Sequence, residues 1–156
     1  MLKHFSVDKC SSDSSIYRQN HLYITADYGD YGYHWAMSVR AIRGATQVVA
    51  NSAEAISSGT QELISEILKG NGITPADVIS MLFTASPDLT ASFPAAAVRS
   101  LGFEGTPLIC AVEIDVPGAL PRTIRVMAHV ETQLSKSEIN HIYLHGAKAL
   151  RADIAQ

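Results

Sequence analysis

The chain has 156 residues, 47% of them hydrophobic, and a formal net charge of −3. That length supports one domain with a real core, and the slightly negative charge removes the electrostatic case for a nucleic-acid partner. No apolar run approaches the ~18 residues of a membrane span, and the mixed polar residues 1–13 lack the apolar stretch of a secretory signal, so no membrane association and a cytoplasmic setting are expected.

Composition changes near residue 37. Residues 1–36 are read as an N-terminal extension and residues 37–156 as the folded domain. The extension contains a polar run at 9–15, and Tyr23, Tyr28, Tyr31, Tyr33 and Trp35 crowd the stretch 23–35. One reading is an aromatic arm that docks a partner enzyme. The other is a flexible tail, or a start placed upstream of a working initiator at Met37. The second is adopted because the segment has too few aliphatics for a core and no apolar periodicity to anchor it.

From Met37 onward the pattern is regular. Residues 39–49 alternate small, apolar and charged side chains and read as a strand. Asn51 or Ser52 caps a helix with Glu54 in its first turn, and Ile56, Leu63, Ile64, Ile67 and Leu68 form its apolar stripe. Gly70-Asn71-Gly72 ends it. Pro75 and Asp77 mark a turn, and 78–84 is a nearly continuous apolar run that reads as a strand buried on both faces. A loop at 86–88 leads to a short helix with Pro94 in its first turn and Gly102 past its end. Strands follow at 108–114, 123–131 and 140–144, with one helical turn at 135–138 and a short last strand candidate at 147–150. The order of elements predicts an α+β domain with a mixed sheet and helices on one side.

Three arginines stand out by their neighbours. Arg43 shares a strand face with Val39 and Ala41, Arg125 lies within Thr123-Ile124-Arg125-Val126-Met127, and Arg99 sits on the short Ala-rich helix. A guanidinium held in an apolar strand needs an anionic partner, since an unpaired buried charge costs several kcal/mol. Internal pairing with Glu113, Asp115 or Glu131 is the structural explanation for any one of them. Taken together, the strand-borne acids are too few and too scattered to pair comfortably with every arginine, which points to an anionic ligand. Glu113 is the single acid in Ile109-Cys110-Ala111-Val112-Glu113-Ile114, suited to accept from a ligand hydroxyl or to neutralise an arginine. Tyr143 and Arg151 add a hydroxyl and a cation near the C-terminus. The implied ligand is small, carries more than one carboxylate and has at least one hydroxyl.

Other signals are set aside. His129, His141 and His145 lack a fourth group to complete a zinc site, so surface histidines are expected and no metal is assigned. Neither C-x-x-C spacing, a phosphate-binding glycine motif nor a nucleophile elbow occurs. Cys10 and Cys110 lie far apart, and nothing suggests an oxidising compartment.

The order of motifs then becomes decisive. Arg40-Ala41-Ile42-Arg43-Gly44-Ala45-Thr46, Thr84-Ala85-Ser86-Pro87-Asp88-Leu89, Phe93-Pro94-Ala95-Ala96-Ala97-Val98-Arg99, the stretch from Cys110 through Glu113 to Gly118, Ile124-Arg125-Val126, His141-Ile142-Tyr143-Leu144 and Ala149-Leu150-Arg151 resemble the trimeric bacterial chorismate mutase family. The resemblance covers about 37–153 and none of the extension. It implies a pseudo-barrel homotrimer with an active site at each subunit interface, and a cofactor-free rearrangement of chorismate to prephenate at the entry to phenylalanine and tyrosine synthesis. Carried over, Arg125 would donate to the ether oxygen and Arg43 would bind a carboxylate. Glu113 would accept from the ring hydroxyl, with Cys110 beside it. Tyr143 would reach a carboxylate, and Phe93 and Leu150 would wall the apolar side. Ala95 and Ile109 would line the pocket, Arg99 would add charge at its mouth, and Arg151 belongs to the family's mobile tail.

Ala96 stands where relatives carry a lysine, so a contact at the pocket edge is missing, and Asn140 replaces a frequent arginine. Cys110 and Glu113 are three residues apart, which faces them oppositely on a regular strand. An end or bulge between them is therefore expected. The alternative from another class is a non-catalytic trimeric binding protein for a small dicarboxylate.

Overall fold

The computed structural model describes residues 37–151. The extension, Cys10 and the proposed start before Met37 lie outside the described residues.

Five strands form one mixed sheet: β1 (Ser38–Gln47), β2 (Val78–Ala85), β3 (Leu108–Val112), β4 (Thr123–Thr132) and β5 (Ile142–Leu144), in the spatial order β3-β2-β4-β1-β5. The long β4 is central and runs antiparallel to both β1 and β2, while β3 and β5 are parallel to their neighbours at the edges. The helices are α1 (Ala53–Asn71) and α2 (Pro94–Val98). The Ser52 hydroxyl accepts from the Ala55 amide at 3.1 Å and caps α1, whereas Asn51 turns away to hold Thr90 and Ala91. Gly72 ends α1 at φ 61, a left-handed conformation that costs glycine nothing.

Both helices pack on one face of the sheet. Ile56, Leu63, Ile64 and Ile67 of α1 and Val98 of α2 meet Ile42, Phe83, Ile124, Val126, Ala128 and Val130 in one core. Gly44 allows the close approach, since a Cβ there would stand 2.7 Å from Ile67 and 3.1 Å from Leu63. Burial of a Leu or Ile side chain in such a core contributes about 1.5–3 kcal/mol.

The opposite face carries Val39, Arg43, Leu82, Arg125 and Met127, and it is only partly covered. The expectation that 78–84 is buried on both faces is therefore corrected: Leu82 is 39% exposed, while Met81 and Phe83 are buried. The run reads as doubly buried because Ile79 and Leu82 are apolar although both are about two-fifths exposed. The short strand expected at 147–150 is instead a 3₁₀ turn over His145–Arg151, begun by His145 at positive φ. Ala147 is buried there against Ala45 and Tyr143, and this one-sided packing suits a helical turn as well as a strand. The turn expected at 135–138 is present as a single hydrogen-bonded turn, with Glu138 N donating to Ser135 O.

Candidate active site

The sheet register builds the site. Arg125 pairs with Ala45 of β1 and with Thr84 of β2; Thr84 pairs with Ala111 of β3, and Ala45 with Tyr143 of β5. Paired side chains share a face, so Ala111, Thr84, Arg125, Ala45 and Tyr143 form one row across all five strands on the helix-free side. Ala45 is small, leaving a hollow between the long side chains of Arg125 and Tyr143. Leu150 and Arg151, from the turn after β5, close one end. The result is a cavity of about 300 Å³ walled by Arg43, Thr84, Arg125, Met127, Tyr143 and Leu150, among others.

Arg125 also borders a second hollow beneath the turn at 115–118, so its guanidinium stands between the two. Its side chain is 44% exposed, and its one ion-pair partner among the described residues is Glu113, with Nε 3.5 Å from Oε1. That contact is an ion pair but too poor in geometry for a hydrogen bond, and the water-excluded Nε makes none. Oε1 accepts instead from the Thr84 hydroxyl. The guanidinium is thus paired loosely and is not locked onto the internal acid.

Arg43 is placed by an edge device. Its backbone N–H donates to His141 Nδ1 at 3.1 Å, just before the β1–β5 pairing begins. Burial holds the His141 imidazole below its usual range, and the Arg43 and Arg151 charges push it further down. The other two described histidines go elsewhere: Ser80 Oγ and His129 Nδ1 lie 3.2 Å apart, and His145 Nε2 lies 2.9 Å from Glu62.

β3 ends at Val112, so the expected end falls between Cys110 and Glu113, but it does not bring the two to one side, because Glu113 N still donates to Ala85 O at 2.9 Å. Alternation persists, so Glu113 joins Thr84 and Arg125 while Cys110 faces the helices. The Cys110 thiol accepts from the Ala95 amide at 3.4 Å.

The residues singled out from the sequence therefore sort into two groups. Arg43, Arg125, Tyr143 and Leu150 wall the cavity, while Glu113 lines the second hollow that Arg125 also borders. Phe93 and Ala95 lie at the start of α2, Arg99 at its end, and Ile109 and Cys110 on opposite faces of β3; none of them lines the cavity. Phe93 is 73% exposed and Ile109 61%. Sequence reasoning missed Ala45, Thr84 and Met127 as wall residues; only parity counted outward from Arg125 across known strand partners could have found them.

Fold and cavity together define an α+β domain whose mixed sheet carries a cavity walled in part by arginines. The sequence profile of the family "Chorismate mutase type I" matches residues 39–154. Chorismate mutase AroH of Bacillus subtilis is 43% identical over 120 residues, 76% of this chain and 94% of that protein. Chorismate mutase AroH of Thermus thermophilus is 43% identical over 117 residues, 74% of this chain and 96% of that protein. Among solved structures, a chorismate mutase from Clostridium thermocellum superposes with a TM-score of 0.69 at 50% identity, covering 70% of this chain and 98% of its own. The chain belongs to the chorismate mutase type I family. Its activity class is accordingly that of chorismate mutase, an isomerase.

Proposed function

We propose that the protein converts chorismate to prephenate, in aromatic amino acid synthesis in the cytoplasm, at sites that two subunits of a homotrimer build together. The reaction breaks a C–O bond while a C–C bond forms within one molecule, and it asks for no nucleophile or general base. Catalysis then consists of holding the compact substrate conformer and meeting charge as it grows on the ether oxygen. Arg125 supplies that charge. Arginine stays protonated and offers a rigid fork of donors, and a fork held beside Ala45 and Thr84 in the central strand is fixed in advance. Arg43 and Tyr143 receive the carboxylates, and Glu113 Oε2 is left to accept from the ring hydroxyl.

The single observation that carries this reading is the loose pairing of Arg125, which leaves a cation on the cavity wall without a hydrogen-bonded internal partner at Nε.

The separation of the named residues into two groups supports a shared site. Two different half-sites on one subunit generate a closed ring when each docks onto the other half on the next copy. Phe93, Ala95, Arg99, Ile109 and Cys110 would then face the cavity of the neighbour. The exposed apolar side chains favour this: Val39 is 58% exposed, Val112 74% and Ile114 84%, and contact with a neighbouring subunit would take them out of water.

The test is chorismate consumption followed by absorbance, with Arg125→Ala as the control. The wild type should turn substrate over, and the variant should keep less than about a hundredth of its kcat. Binding of chorismate without turnover would favour the reading as a trimeric binding protein.

A further inference from the structure

The row of side chains contains one polar residue to which the reaction as described gives no task. Thr84 stands in β2 between Ala111 and Arg125, on the cavity wall, and its hydroxyl donates to Glu113 Oε1. The same oxygen is the one 3.5 Å from Arg125 Nε. We propose that Thr84 is a positioning residue: by anchoring that oxygen, its hydroxyl keeps Glu113 and Arg125 from closing on each other and leaves both turned to the substrate. The inference rests on the reading in which Arg125 and Glu113 face chorismate.

The physical case starts from what a carboxylate and a guanidinium do when left together. They close to N–O distances of about 2.7–2.9 Å, and often to a two-pronged pair that consumes both oxygens and two N–H groups. Here the gap is 3.5 Å and Nε is without a hydrogen bond, although it is buried from water. A carboxylate oxygen has room for a second donor, so the Thr84 hydroxyl acts by anchoring Oε1 where it cannot align with Nε. A threonine hydroxyl has one proton to give, and here it goes to Glu113.

Removing the hydroxyl would leave that oxygen short of a partner, with Arg125 as the nearest strong donor. The two side chains would draw together. Charge aimed at the ether oxygen would then be neutralised by an internal acid, and the oxygen reserved for the ring hydroxyl would be engaged. Both losses fall on the transition state more than on ground-state binding. The β-branched shape of Thr84, by contrast, serves only the strand.

The experiment compares Thr84→Val, Thr84→Ser and Glu113→Gln, alone and combined, by steady-state kinetics with chorismate and by thermal melting. Valine keeps the branch and the strand propensity but lacks the donor. Thr84→Val should lose about 10- to 100-fold in kcat with KM changed by less than about threefold, the scale of a misplaced reacting group. Thr84→Ser, which keeps the hydroxyl, should stay within about threefold of the wild type. In the Glu113→Gln background the same Thr84→Val change should cost less than about twofold, because the residue through which Thr84 acts has already been altered.

A structural role alone would give the same loss in both backgrounds and a parallel drop in Tm, and that result overturns the proposal. So does a Thr84→Val enzyme as active as the wild type, or a Thr84→Ser enzyme as impaired as the valine variant. If Thr84→Val does not fold, Thr84→Ala takes its place with the same expectations. A wild type inert toward chorismate would sink the underlying functional reading. An active wild type with an indifferent Thr84→Val sinks only the role of Thr84.

Discussion

Ala45 and Arg125 stand opposite each other in the β1–β4 ladder, one of the smallest side chains beside one of the longest, and the cavity is the difference between them. Ala45 is itself only 1% exposed, packed under Tyr143 and Ala147. Ala45→Val should therefore cost about 1–3 kcal/mol in stability through overpacking. It should also lower kcat/KM by spreading Arg125 and Tyr143 apart. Urea unfolding and kinetics on one preparation check both, and a variant unchanged in each would show that the hollow does not depend on this position.

Charge alone does not account for the choice of arginine at 125. Arg125→Lys keeps a cation but replaces a planar fork by a single mobile point. The expected loss is about 10²–10³ in kcat, as for deletion of one preorganised donor. A lysine variant within tenfold of wild type would mean that field strength, not donor geometry, decides the rate.

If each site draws on two subunits, two inactive variants should rescue each other. Arg125→Ala spoils one half-site and Phe93→Ala/Arg99→Ala the other. Co-expressed in equal amounts, they should recover about a quarter of wild-type activity, the fraction of interfaces that pair two intact halves in a ring. Sites confined to one subunit would give no recovery above the sum of the separate enzymes.

His141 links the edge of the sheet to acidity. Its pKa lies below the ordinary 6.5 because burial first, and then Arg43 and Arg151, disfavour the charged ring. The unfolded chain thus takes up this proton before the folded one as pH falls. The stability His141 supplies is complete above about pH 6.5 and is lost as pH drops toward the folded value. Protonation also puts a hydrogen on Nδ1, the atom that accepts from Arg43 N. Melting curves from about pH 8 to pH 5 should show this decline in the wild type. His141→Gln should lack that component; an identical decline would assign it to other groups.

Much of this was readable from the sequence where the signal is local. The α1 stripe, Ser52 before it and Gly72 after it lie within twenty-one positions of one another, and each is decided by near neighbours. Arg125 was legible because an arginine among apolar strand residues is costly unless it has a task. Less legible was everything that depends on pairing. Whether Cys110 shares a pocket with Glu113 turns on an unbroken β2–β3 ladder, and whether Thr84 touches Glu113 turns on which residue of β2 meets which of β3. The turn at His145–Arg151 misled because buried Ala147 and half-buried Leu150 supply too few apolar positions to separate a period of two from one of three.

The transverse row has a bearing on how this enzyme comes into being. Its members arrive from five strands separated by helices and loops, and none is useful without the others. Because side chains alternate, slipping any strand by one residue would send its contribution to the helical side. Turnover is therefore a readout of correct strand alignment across the whole sheet, and a chain that has collapsed in the wrong register would be compact, even well packed in part, and chemically silent.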